Sequence, residues 1–139
     1  MSAEPGYDVR IHLAAAAIGF TSGTNIFDGP ERAYGDGVPH EAAFVTPYGG
    51  PQPQPFIGGT TEQRFPQVQV LYRSGVDDYN GGEAKARAIR DALHHQSITR
   101  ATGGSYTDCR ALQSAPLFLG IDEQRRTRWA INVELWHRE

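Results

Sequence analysis

The clearest period along the chain runs from Arg128 to Trp136, where Trp129, Ile131, Val133 and Leu135 take every second position. A period of two is what a strand with one buried face requires. The same alternation appears in "FPQVQVLYR", with Val68, Val70 and Tyr72 set against Gln67, Gln69 and Arg73; only Leu71 interrupts the polar side. In "PLFLGID" (116–122), Leu117, Leu119 and Ile121 are expected on one face. The short polar link "EQRRT" joins that run to the last one, which predicts an antiparallel hairpin. Trp136 falls on the face opposite Trp129, and is expected to pack under the helix of residues 79–93 or to mark an interface. Shorter strands are expected at Asn25 to Phe27, Glu41 to Thr46 and Tyr106 to Gln113.

Between Tyr79 and Leu93 the period changes. Ala86, Ile89 and Leu93 share a stripe at helical spacing, with Ala92 beside them, while Glu83, Arg87 and Asp91 form a charge ladder outside. Asp77 or Asp78 is placed to cap this helix, and Gly81 and Gly82 weaken its first turn. A shorter helix is predicted over Asp8 to Ile18, with Asp8 as N-cap and Gly19 just past its end. Turn signals crowd residues 20–40: "TSGTN", "FDGP" and "YGDGVP". The order of elements is that of a single α+β domain over residues 1–139.

One stretch fits neither period. "TPYGGPQPQPFIGG", residues 46–59, holds four prolines and four glycines, so it can be neither helix nor inner strand. It is either a surface loop or an arm that gains order from a neighbouring chain. Phe56 and Ile57 favour the arm, since a free loop would leave both in water.

Composition narrows the classes. With 39% hydrophobic and 21% charged residues, 139 residues suit one globular domain. A net charge of -3 argues against a nucleic-acid footprint. Lys85 is the only lysine among 13 basic residues; arginine bias is the plain explanation, though arginine also suits interfaces. Cys109 is the only cysteine, which rules out an internal disulfide and fits a reducing cytoplasm. The longest apolar run, Leu13 to Phe20, is too short to span a bilayer, and Glu4 and Asp8 stand where a positive leader would be.

No catalytic, cofactor-binding or metal site is expected. His94 and His95 are adjacent and point to different faces; His12, His40 and His137 lack ligand spacing with any carboxylate. There is no P-loop, no GxGxxG turn and no G-x-S-x-G elbow. Asp77 and Asp78 read as caps before they read as a carboxylate pair, and Asp122 with Glu123 reads as a hairpin turn.

The spacing of Arg73, Gly75, Tyr79, Ala86, Ile89 and Leu93 resembles the R-x-G…Y…A-x-x-I-x-x-x-L core of tailed-phage tail terminator or minor capsid proteins. "PLFLGIDEQRRTRWAINVEL" is similar to the same family in Pro116, Leu119, Gly120, Asp122, Glu123, Arg126 and Asn132. "NIFDG" followed by "TPYGGPQPQP" resembles its strand and Gly-Gly-x-Pro loop. Gly82 departs from the pattern, standing where alanine is expected.

The resemblance implies a mixed or antiparallel sheet packed against two helices, in a ring-forming subunit. Six copies would cap the tail tube at the virion neck, end its polymerisation and join it to the head–tail connector protein. Assembly would take place in the host cytoplasm, and genomic DNA would pass without specific binding. The Pro/Gly-rich arm (47–59) would then serve subunit or partner docking, with Pro51, Pro53, Pro55, Phe56, Ile57 and Trp136 as interface residues. Two alternatives stand beside this: another neck component, such as a head-completion or connector protein, and a small cytosolic enzyme using Asp77, Asp78 and a nearby histidine.

Overall fold

A computed structural model describes residues 4–35, 37–51, 54–55 and 62–138. Two α-helices, α1 (Glu4–Ala15) and α2 (Tyr79–Leu93), lie on one face of a mixed sheet. The strands are β1 (Ile26–Asp28), β2 (Ala42–Pro47), β3 (Gln54–Pro55), β4 (Glu62–Arg64), β5 (Gln67–Val76), β6 (Asp108–Ala111), β7 (Leu117–Ile121) and β8 (Arg126–Arg138). Among the pairings of these described strands, β1–β2 is parallel and the others are antiparallel. The α+β arrangement and the mixed sheet packed on two helices are as the sequence and the resemblance led us to expect.

Strand β8 organises the sheet. Along one flank it pairs with β5 and, past Leu135, with β4; along the other it pairs with β7 and then β6. The β5–β8 register sets Val68 opposite Val133, Val70 opposite Ile131 and Tyr72 opposite Trp129. Directly opposed residues share a face, so two separate alternations merge into one apolar surface. Ala86, Ile89 and Leu93 of α2 and Val9 and Leu13 of α1 close over it, and all of these residues are buried. Tyr72 keeps its hydroxyl satisfied on Glu41 at 2.7 Å; burial first, and then Glu41, push this phenol far above its usual range.

α2 matches its predicted bounds, and Asp78 is the cap, accepting from Gly81 N at 3.0 Å. Arg87 meets Glu83 on the exposed side at 3.6 Å. α1 departs from expectation. Asp8 is inside the helix and buried, and its carboxylate accepts from Ala101 N (2.8 Å) and the Tyr106 hydroxyl (2.6 Å). A carboxylate that finds partners in a distant loop has no need of its own helix's free amides. The helix ends early, and Ala17 takes the left-handed conformation (φ 59°) ahead of Gly19.

The opposite face of the sheet is mixed, with an aromatic cluster of Phe27, Tyr34 and Phe44 at its β1–β2 side and a polar row along β5 and β8. Gln67 donates to Glu134 (3.0 Å), Gln69 to Asn132 (3.2 Å) and Asn132 to Gln113 (3.3 Å), giving a hydrogen-bonded row across two strands, β5 and β8, and the loop after β6. Trp136 belongs to this face and does not pack beneath α2, because seven residues separate it from Trp129 and an odd step reverses the side. Its ring meets Phe65 edge-on at 5.3 Å and lies 4.5 Å from the Arg110 guanidinium, and its Nε1 donates to Glu134 at 2.9 Å.

Candidate assembly surfaces

The residues with catalytic potential hold structural posts. Asp78 caps α2, and Asp77 meets Arg125 at 3.2 Å on the surface. Asp122 closes the β7–β8 turn, accepting from Gln124 N, Arg126 N and Arg126 Nε at 2.9, 3.0 and 2.7 Å. Burial alone would raise its pKa, but these hydrogen bonds and the Arg126 charge outweigh that and hold it low. His94 Nδ1 accepts from Ala111 N at 3.0 Å, and His12 Nε2 lies 2.7 Å from Ala92 O. Burial pushes the Cys109 thiol up to about 12, with the Asp108 charge adding to it. No group of three or more metal-ligating side chains converges among the described residues.

A groove of about 790 Å³ opens between the loop of residues 31–40 and the β7–β8 turn. Glu31 bridges its floor, accepting from Arg73 Nη1 (3.0 Å) and Arg128 Nη2 (2.7 Å). Arg73 is buried and also donates to the His40 and Pro39 carbonyls at 2.9 and 2.7 Å. These arginines are satisfied from within the chain, so the groove is a self-neutralised lock between loop and sheet.

β7 is different in kind. Leu117, Phe118, Leu119 and Ile121 are 41%, 47%, 49% and 63% exposed, although all are apolar. The expected common face does not form. Phe118 pairs with Trp129 but Gly120 with Arg128, so Leu119 is an extra residue that shifts the register. Leu117 therefore opposes Ala130 on one side of the sheet, while Ile121 opposes Thr127 on the other. Phe118 lies 5.5 Å from Tyr79 and 5.0 Å from Trp129, which extends an aromatic cluster to the surface. Val76, Tyr79 and Leu112 add exposed apolar area nearby. Sequence reasoning missed this exposure. Its signal was present: five consecutive residues without a polar position cannot be the half-buried strand that alternation describes.

The other predicted interface residues are partly placed. Pro51 is exposed, and Pro55 stands in β3, paired with Glu62 of β4. Trp136 is half-buried against Phe65 and Arg110. Pro53, Phe56 and Ile57 lie outside the described residues. The root of the arm is laced to β5: Tyr48 N donates to Gln67 O (3.0 Å) and Gln67 N to Gly49 O (2.7 Å). Gly50, at φ 141°, rests on the Phe65 carbonyl, which any Cβ there would overlap.

Comparison with known proteins gives the same direction. No curated protein sequence matches the chain. A chain in a solved structure, the virion of a native gene transfer agent (GTA) particle, superposes with a TM-score of 0.67 at 15% identity. The match covers 98% of this chain and 96% of that one, and it establishes a shared fold. The family described as "Bacteriophage tail terminator protein" matches residues 30–135, which hold the groove, the arm, α2 and the exposed strand. That family is structural and not enzymatic. On this match the chain belongs to the bacteriophage tail terminator protein family.

Proposed function

We propose that the protein assembles as a ring of six identical subunits at the head-proximal end of the tail tube. There it ends tube polymerisation and joins the tube to the head–tail connector. A closed ring needs two unlike patches on each subunit, one docking on the other. The observation that carries this reading is β7, an apolar strand exposed at the sheet's edge in a chain whose family works inside a virion. The Pro/Gly-rich arm of residues 47–59 supplies a second, unlike patch, and proline there lowers the entropy lost on docking. The net charge of -3 suits a channel that lets DNA pass without holding its phosphates.

The direct test is tube length. Tail-tube protein polymerised with this protein in excess should give short tubes capped at one end. Tubes of unchanged length, with the protein left unbound, would refute termination and favour a neck component that acts elsewhere.

A further inference from the structure

We infer that the exposed β7 surface receives the uncharged segment of residues 51–61 from a second copy of this chain. The inference rests on the self-assembly reading above and names its two faces.

β7 pairs only with β8 among the described residues, so its outer edge keeps backbone donors and acceptors open. Sheet edges left open are commonly guarded by charge, proline or cover. β6, on the same flank, carries Asp108 and Arg110; β1, at the far edge, has Ile26 buried and Asp28 held by Arg10 at 2.9 Å. β7 has no such guard: "LFLGI" contains no charge and no proline. An edge of this kind invites a partner.

The partner segment is indicated by chemistry and by reach. Residues 51–61, "PQPQPFIGGTT", carry no charge and include Phe56 and Ile57, so burial on β7 desolvates no ion on either side. The same subunit cannot supply this segment to its own β7. Phe118 pairs with Trp129 of β8, whereas Gln63 pairs with Arg138, nine residues further along. Nine strand residues span roughly 30 Å. β4 runs antiparallel to β8, so from Arg64 back to Glu62 the strand heads toward the far end of β8, away from β7. Only six residues, 56–61, join Pro55 to Glu62, and a loop closed at both ends extends about 10 Å. The occupant is therefore another molecule's segment.

The test attaches a photo-crosslinker to a Leu119→Cys variant, where Cys109, buried with a raised pKa, is protected from labelling. The labelled protein is mixed with an isotope-labelled copy and assembled with tail-tube protein. Crosslinks should join residue 119 of one copy to residues 51–61 of the other. An intact oligomer whose residue 119 crosslinks reproducibly elsewhere would overturn this pairing and leave self-assembly standing. A chain that stays monomeric, with or without tube protein, would overturn both.

A second pair of variants gives an independent reading. Leu119→Lys and Ile57→Asp should each weaken self-association roughly tenfold or more, as loss of a central contact does, with the melting temperature unchanged. Combining them should restore part of the loss through charge pairing. Loss from Leu119→Lys with none from Ile57→Asp would show that β7 binds a different segment, and would sink the inference.

Discussion

Gly82 stands in the first turn of α2, where a helix former would ordinarily be better and where the family resemblance suggests alanine. The structure supplies the reason for glycine. A Cβ there would lie 2.6 Å from Thr127 Oγ1, 2.9 Å from Ser74 Cβ and 3.2 Å from Trp129 Nε1. Those atoms belong to a buried relay in which Trp129 Nε1 donates to Thr127 Oγ1 (3.0 Å), Thr127 to Ser74 Oγ (2.7 Å), and Ser74 to the Gly75 carbonyl (2.8 Å). Gly82→Ala gains helix propensity of about 0.5–1 kcal/mol, but overpacking costs about 1–3 kcal/mol, so the net effect should be destabilising. Urea melts check this; a variant more stable than the parent would show that the relay yields freely. A second prediction at this scale concerns His94. Burial, followed by the His95 and Arg90 charges, lowers its pKa from 6.5, with Asp108 opposing and Arg110 assisting. Its Nδ1 acts as an acceptor, so the neutral form is the native one. The unfolded chain then binds the proton more readily, and stability should fall as pH drops below about 6.5. Melts at pH 7.5 and 5.5 test this, with His94→Asn expected to show a smaller difference.

At the scale of elements, the strands and helices that alternate cleanly were legible. Val68, Val70 and Tyr72 on β5, and Trp129, Ile131, Val133 and Leu135 on β8, all went to the core side as their period required. Ile131→Ala should therefore cost about 2–5 kcal/mol in urea melts, as a buried large-to-small change does. A loss below about 0.5 kcal/mol would contradict its burial beneath the helices. Where the sequence misled, a nonlocal event decided. The β7 bulge depends on the register of β8, and Asp8 left its expected capping role for a loop more than 90 residues away. The Glu31 lock between Arg73 and Arg128 joins three separate segments, and no local spacing announces it. Trp136 was assigned to the correct side relative to Trp129. The helices cover only the Trp129 side, a choice that strand alternation alone does not make.

For the whole molecule, the two faces of the sheet divide the work. One face is sealed by α1 and α2; the other carries a hydrogen-bonded polar row flanked by the groove, by the Phe27–Tyr34–Phe44 cluster and by Trp136. Most of the exposed large apolar side chains gather at β7 and its neighbours Val76, Tyr79 and Leu112, with Ile11 on α1 and Tyr48 at the root of the arm standing apart. Subunit association is the simplest way to cover that area, and the central claim is that this chain self-assembles on the tail tube. The most direct measurement is native mass, taken alone and with tail-tube protein present. The account predicts that tube protein brings a species of six 15.2 kDa subunits, free or attached to tube ends. A single 15.2 kDa species in both conditions would contradict it.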